Sequence, residues 1–325
     1  MLHVTGPLLR VAAGNARGTS RLRPWLPSVT MVSTDTSQAL PQAGAAVLLL
    51  SCPDRIGVVA EVATYVAGAG GNILHAEQHL SDSDDRFFQR LEIDVASVTG
   101  GFDGLASGFA DVALRLDAEW SLHRSSERAG LGILVSRQAH CLYDLLARWR
   151  IGDIPGDVRV VVSNHPDHGD VARSFGVDFH HLPVTPDTKP GQEARMLEVM
   201  AGCGVELVVL ARYMQILTST VVDAYPNRII NIHHSMLPAF KGGRPYHQAH
   251  ERGVKVIGAT AHYASADLDE GPIIHQDVTR VSHRDTVSDL VRRGRELENN
   301  VLAHAVRAHL EHRVVVTGPR TIVFG

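Results

Sequence analysis

The chain has 325 residues, of which 44% are hydrophobic and 20% charged, with a formal net charge of −4. That length accommodates two domains, and the composition is that of an ordinary globular protein. The slight acidity disfavours non-specific binding to nucleic acid, and no apolar run in a plausible core segment approaches the ~18 residues of a membrane span.

The three cysteines, Cys52, Cys141 and Cys203, lie far apart and follow no metal spacing, which fits reduced thiols in a cytosol-like compartment. Nineteen histidines invite a metal reading. His233 and His234, however, are adjacent and alternate across a strand. His247 and His250 can share a helix face, but no carboxylate or cysteine joins them at a zinc-like spacing. No metal and no resident cofactor is therefore expected. From Met1 to Gly44, Arg10, Arg17, Arg21 and Arg23 occur with no acidic residue before Asp35. This stretch reads as a disordered extension, with Met31 a candidate true start and a cytoplasmic protein as the consequence. The alternative is an Arg-rich, acid-poor organelle transit segment.

The pattern changes at Ala45. Ala45–Ser51 reads as a buried strand, and Pro53-Asp54-Arg55-Ile56-Gly57 as a turn. Val58–Ala67 carries a helical stripe at Val59, Val62, Ala63 and Val66, stopped by Gly68–Gly71. Asn72–Leu80 and Phe87–Val95 read as strands, Gly101–Leu116 as a helix, and Trp120–His123 as a closing strand. The order βαββαβ is ferredoxin-like. With Cys52–Val59 ahead of the helix and Gly71-Asn72-Ile73-Leu74 after it, residues 45–124 resemble an ACT domain. The resemblance implies an amino-acid effector at Asp54, Arg55, Gly57 and Asn72, and a homodimer or homotetramer. A loop running into a helix N-terminus does offer free N–H groups to a carboxylate. The other reading is that these residues only shape a tight turn and a dimer edge.

After a short polar linker, Ser125–Gly130, a second unit spans 130–325. Strands are expected at Leu131–Val135, Val158–Ser163, Val205–Leu210 and Ile229–Ile232. Helices are expected at Ala139–Trp149, Asp170–Phe175, Gln192–Cys203 and Thr218–Tyr225, with Thr218 a candidate N-cap. Repeated β-then-α units predict a doubly wound, mainly parallel α/β sheet, in which sites form where strands end. Attention therefore falls on the turns after Leu210, Ile232 and Tyr263. Farther on, Asp285–His312 carries a long helical stripe. Val314–Val316 and Thr321–Phe324 flank a terminal hairpin whose apolar content points to packing, with another subunit one candidate surface.

Within Ile229–Phe240, isoleucines fill a strand on which Asn231 and His233 share a face. Two polar side chains at the end of a buried strand are costly unless satisfied. They either bond to local backbone or do chemistry, and the proline-broken loop that follows favours chemistry. A second segment runs from Gly258 through His262-Tyr263 and an acidic loop, Asp267-Leu268-Asp269-Glu270, in which Asp269 sits just before the turn and strand Gly271-Pro272-Ile273-Ile274.

Together these segments resemble the formyltransferase fold that uses 10-formyl-tetrahydrofolate, over Leu131 to about Leu310. The resemblance implies Asn231, His233 and Asp269 as the catalytic trio. It also implies a folate pocket along Leu210–Leu217, with Tyr213, Met214, Gln215, Leu217 and His262 as substrate-binding residues. Transferases acting on a nucleotide amine cradle phosphate with a glycine-rich loop after the first strand. Here that place holds Val135-Ser136-Arg137-Gln138-Ala139-His140-Cys141-Leu142, without a glycine cluster. With the fused ACT unit, with Asn231–Ser235 and with Gly243-Arg244-Pro245-Tyr246-His247, the chain resembles the formyltetrahydrofolate deformylases, in which water replaces the amine.

The implied reaction is hydrolysis of the formyl amide on folate N10, serving one-carbon balance and purine synthesis, with the folate as substrate and not as resident cofactor. Asn231 and His233 would donate to the tetrahedral oxyanion. Asp269 would orient the water or take its proton, and would keep His233 charged, since an opposite charge raises a histidine pKa. Which of His233 and Asp269 acts as acid and which as base stays open at this point. A formyltransferase with an amine acceptor and a non-catalytic amino-acid sensor are the competing readings. The absent glycine cluster counts against the first and the intact trio against the second.

Overall fold

The computed structural model describes residues 44–81, 83–238 and 245–325. The N-terminal extension, apart from Gly44, and Lys241–Arg244 lie outside them.

The first unit consists of β1 (Ala45–Pro53), α1 (Val58–Gly68), β2 (Asn72–Ser81), β3 (Arg86–Asp94), α2 (Gly101–Leu116) and β4 (Glu119–Arg124). Its sheet has four strands in the order β2-β3-β1-β4, all neighbours antiparallel. This is the expected βαββαβ plan. The inner face of the sheet and the stripes of both helices form one core, with Leu48, Leu50, Val62, Val66, Leu91, Leu105 and Phe109. The α1 stripe buries Val58, Val62 and Val66, while Val59 faces outward. Gly57, at φ +96°, opens α1 in a left-handed backbone that a side chain would strain.

The second unit continues through β5 (Gly130–Val135), α3 (His140–Ile151), β6 (Asp157–Ser163), α4 (Gly169–Ser174), β7 (Asp178–His181), α5 (Lys189–Gly202), β8 (Leu207–Ala211), α6 (Ser219–Ala224) and β9 (Ile229–His233). Then follow α7 (Pro245–Glu251), β10 (Val256–Tyr263), β11 (Ile273–Arg280), α8 (Val287–Leu310), β12 (Val314–Thr317) and β13 (Arg320–Val323). Among the described residues these form a seven-stranded sheet, β11-β10-β9-β8-β5-β6-β7, and the two-stranded hairpin β12-β13. The pairs among β5 to β9 are parallel and those of β10 antiparallel.

Both faces of this sheet are covered, so its central strands read as continuous apolar runs. One face packs on α3 and α8 through Ile133, Val209, Ile230, Val301 and Leu302. The other packs beneath α5 through Leu134, Val208, Met196 and Met200. The long helix α8 starts with a full capping box, Thr286 and Asp289 each satisfying the other's backbone N–H.

Several details depart from the sequence reading. β7 and α7 are additional elements, each of seven residues or fewer. Helix α5 begins at Lys189, because Pro190 sits in the first turn, where a missing N–H costs nothing. Thr218 stands at the N-cap of α6 but makes no side-chain cap bond; its hydroxyl is committed to Glu193. The turn after Tyr263 does not sit at the same sheet edge as the other two, because β10 runs antiparallel to β9. The loop that follows must climb back to reach the site.

The two units meet at the C-terminal end of α8. Arg90 of β3, its side chain buried, donates to the carbonyls of Glu311 and His312 at 3.1 and 3.0 Å and pairs with Glu92 at 2.8 Å. His312 also stacks on His123 of β4, ring centroids 3.7 Å apart. The hairpin joins the same contact: Arg320 reaches Asp84 at 2.7 Å and the Gly325 N–H reaches Glu77 at 2.8 Å.

Candidate active site

The site grows out of the end of β9 and its neighbour β10. In their antiparallel register His262 lies opposite Asn231, and Thr260 opposite His233. Directly opposed residues on one face touch. The Asn231 amide nitrogen is 3.2 Å from His262 Nε2, and His262 Nδ1 is 2.9 Å from the Tyr263 carbonyl. A carbonyl only accepts, so Nδ1 carries the hydrogen and Nε2 accepts from Asn231. The amide is thereby oriented, with its second N–H left to donate elsewhere. Thr260 is fully buried and clasps the turn after β9. Its hydroxyl donates to the Ser235 carbonyl at 2.8 Å and accepts the Leu237 N–H at 3.0 Å.

Asp269 arrives from the loop between β10 and β11. It adopts φ +58°, a conformation in which Asp is tolerated better than most residues. Gly271 then passes so close to the Tyr263 carbonyl that a Cβ would lie 1.7 Å from the oxygen, and Tyr263 N–H bonds to the Pro272 carbonyl at 2.9 Å. The Gly-Pro pair thus closes the loop at its neck. Asp269 Oδ1 ends 3.2 Å from His233 Nδ1 and 3.8 Å from His262 Nε2. Asn231, His233 and Asp269, singled out in the sequence from two separate segments, converge here.

The electrostatics of this trio oppose one another. Burial disfavours a charged imidazole and is the larger effect, so the His233 pKa falls below its ordinary value although Asp269 pulls it up. His262 falls for the same first reason. Both rings are neutral at neutral pH, which corrects the expectation of a His233 held charged by Asp269. A neutral His233 carries its hydrogen on Nδ1, facing the carboxylate.

His234 also departs from expectation. Strand β9 ends at His233, so alternation stops there, and the His234 ring stacks on that of His233 with centroids 5.0 Å apart and planes at 16°. It lines the same pocket instead of pointing through the sheet.

That pocket, about 290 Å³, is walled by Leu210 and Arg212–Leu217 on one side, by Asn231, His233 and His262 at its floor, and by Ala264–Asp269 opposite. Of the folate-binding residues expected from sequence, Tyr213, Met214, Gln215, Leu217 and His262 all line it. Tyr213 is buried and its hydroxyl accepts from Gln192 at 3.1 Å, whereas Met214 is exposed. The wall is held from behind. The Met214 N–H donates to Ser136 Oγ at 3.0 Å, and Ser136 in turn donates to Asn164 at 2.7 Å. Buried Glu193 accepts the Thr218 N–H at 3.1 Å, and Lys189 holds the Ile216 carbonyl. Arg212 belongs to the Leu210–Leu217 stretch singled out in the sequence, but the burial of its charge, directly after a wholly apolar strand, was not foreseen.

The effector residues expected in the first unit, Asp54, Arg55, Gly57 and Asn72, are all exposed. Arg55 pairs with Glu61 at 3.0 Å and donates to the Arg115 carbonyl at 3.3 Å. Asn72 opens the edge strand β2.

Among the described residues, His140, Cys141 and Glu298 are the one group whose donor atoms lie close enough to share a metal ion. Glu298 is already engaged by His140 at 2.8 Å and Tyr246 at 2.6 Å, with Arg212 at 3.5 Å. Burial also pushes the Cys141 thiol well up, away from the thiolate a metal requires. The donor set does not fit a cation.

Comparison with known proteins agrees with this geometry. Residues 131–306 match the formyl transferase family and residues 46–102 the ACT domain. A formyltetrahydrofolate deformylase from Synechocystis is 52% identical over 279 residues, covering 86% of this chain and 98% of the relative. The chain belongs to the formyltetrahydrofolate deformylase family. A deformylase of Bacillus subtilis is 46% identical, covering 85% of this chain and 93% of its own. The crystal structure of the formyltetrahydrofolate deformylase from Pseudomonas syringae superposes with a TM-score of 0.84 at 42% identity, over 86% of this chain and 94% of that one. The deformylase family thus shares with this chain both an ACT-like antiparallel sheet and a mostly parallel formyltransferase sheet.

Proposed function

We propose that the chain hydrolyses 10-formyl-tetrahydrofolate to formate and tetrahydrofolate, with Asn231, His233 and Asp269 as the catalytic residues. The observation that carries this reading is the 3.2 Å contact of His233 with Asp269 at the floor of a pocket walled by Arg212–Leu217. The pterin would lie along that wall, meeting its backbone groups beside Tyr213, Met214, Gln215 and Leu217, with the formyl carbon above Asn231.

Water adds to the formyl carbon, and its proton passes to the His233–Asp269 pair. The carbonyl oxygen becomes an oxyanion and receives the free Asn231 N–H; a donor of this kind is worth about 3–4 kcal/mol. The C–N10 bond then breaks, the pair returns its proton to N10, and formic acid leaves, losing its remaining proton to solvent as formate. His262 acts through Asn231 by fixing the direction of its amide.

The same reading extends to the remaining parts. Residues 45–124 act as a regulatory ACT domain and 130–325 as the catalytic domain. An amino-acid effector binds at Asp54, Arg55 and Gly57, on exposed surface before α1, and at Asn72, exposed at the opposite end of the same sheet, and copies of the chain assemble as a homodimer or homotetramer. No described helix is long and apolar enough to cross a membrane, which is compatible with a cytoplasmic location. The experiment is direct: purified protein is incubated with 10-formyl-tetrahydrofolate and no amine, and formate is followed. Release abolished by His233→Ala and by Asp269→Asn supports the reading; release only on adding an amine overturns it in favour of a transferase.

A further inference from the structure

Behind the two stacked histidines lies a buried ionic cluster that the trio does not account for. Arg212 follows β8 with φ +63°, an unusual backbone for a long side chain. Its guanidinium is turned inward and buried. One nitrogen donates to His234 Nδ1, another to Gln138 Oε1 at 3.0 Å, and Nε faces Glu298 Oε2 at 3.5 Å. Glu298 stands in the middle of α8 with its side chain 2% exposed, and it also accepts from Tyr246 at 2.6 Å and meets His140 at 2.8 Å.

A buried carboxylate with this many partners is held charged: burial raises its pKa, but His140, Arg212 and Tyr246 outweigh it and the net direction is down. An arginine has only donors, so His234 Nδ1 must accept, and its hydrogen sits on Nε2. A protonated His234 would face the guanidinium with like charge. Arg212 therefore fixes both the tautomer and the plane of His234, and that plane is the one on which His233 stacks.

We infer that Glu298 and Arg212 are positioning residues for the formyl-hydrolysing site: the carboxylate anchors the guanidinium, the guanidinium anchors His234, and His234 holds the His233 ring against Asp269. The inference rests on the hydrolase reading above. The charged or titratable groups around His233 are Asp269 from the loop, His262 from β10, His234 beside it, and Arg212 and Glu298 from behind. Of these, Glu298 is the negative charge that offsets Arg212.

The test compares Glu298→Gln, Arg212→Lys and the double variant Glu298→Gln/Arg212→Met with the unmodified chain, measuring formate release as a function of pH, and folding by circular dichroism. In Glu298→Gln, kcat falls about tenfold with KM changed less than about twofold. The acid limb of the pH–rate profile moves to lower pH, because an unbalanced cation then faces His233. In the double variant both charges are gone and the limb returns toward its original place. Arg212→Lys keeps the charge but loses the planar fork; kcat falls while the limb stays put, and this arm decides the matter should Glu298→Gln fail to fold. A folded Glu298→Gln with unchanged kcat and an unmoved limb overturns the inference, as does an Arg212→Lys variant of full activity. Absence of formate release from the unmodified chain would instead refute the hydrolase reading itself.

Discussion

Thr321 Oγ1 donates to the carbonyl of Ile273 at 2.5 Å, so the C-terminal hairpin is tied to the strand that leaves the Asp269 loop. The hairpin is thus a brace behind the loop, reached from the other side by Asp84 and Glu77. Thr321→Val removes the donor and leaves a carbonyl to find another partner. Expected is a loss of about 1 kcal/mol in stability and faster amide exchange across residues 264–271, measured by hydrogen-exchange mass spectrometry. Unchanged exchange there would show that the brace is slack.

Asn231 and Asp269 should fail in different ways. On the proposed mechanism Asn231→Ala removes an oxyanion donor, and kcat should fall about 10²–10³-fold, with KM nearly unchanged. Asp269→Asn keeps the shape but takes away the carboxylate of the proton-carrying pair, at a cost of about 10²–10⁴-fold. His262→Ala should cost less than Asn231→Ala, and the double variant little more than Asn231→Ala alone, because His262 acts through the amide. Steady-state kinetics on the four proteins checks this order; additive losses would place His262 in direct contact with the substrate.

Acid should destabilise the junction of the two units. His309, whose Nδ1 pairs with the Tyr263 hydroxyl at 2.7 Å, and His312 are pushed down to about 4 and about 3, chiefly by burial. An unfolded histidine titrates near 6.5. Below that value the unfolded chain binds protons that the folded chain refuses. Stability is therefore full above pH 6.5 and declines as pH falls toward 4. Urea unfolding at pH 7 and pH 5 should show the lower midpoint at pH 5, and His312→Asn should narrow the gap. An equal gap in that variant would place the acid sensitivity elsewhere.

Gly294 supplies a reversal of an ordinary rule. Within a helix, alanine is normally favoured over glycine by about 1 kcal/mol. In α8 an added Cβ would lie 2.1 Å from the Tyr246 hydroxyl, which is the donor to Glu298. Gly294→Ala should therefore destabilise the protein by about 1–3 kcal/mol and lower kcat by displacing Tyr246 from the carboxylate. Thermal melting and formate release together check it; a gain in melting temperature would mean that Tyr246 moves aside freely.

Much of this was legible in the chain itself, for identifiable reasons. Strand β9 announces itself because isoleucines alternate with Asn231 and His233, and helix α2 because Leu105, Phe109, Val112 and Leu116 recur at helical spacing and are all buried. Asp269 was legible because Gly271-Pro272 must close a loop. Missed were β7, where three of the four residues Asp178–His181 are polar, and α7, which begins at a proline. The pairing of Arg212 with Glu298 escaped for a deeper reason. They stand 86 positions apart, and a charged residue on an amphipathic helix reads as solvent-facing until the packing shows which side is covered. The stacking of His234 on His233 was hidden likewise, since periodicity assumes that the strand continues one residue farther than it does.

Arg90 gives the architecture its last consequence. The carbonyls that end a helix are normally satisfied by water or by the chain's own turn; just past α8 those of Glu311, its C-cap, and His312 are met by a guanidinium lent from the neighbouring sheet. The second unit expressed alone would begin with that loan withdrawn, its longest helix fraying toward the very stretch that carries Glu298. Heat should accordingly melt both halves of the intact chain in one transition, and cutting the linker should cost the second half far more than the first.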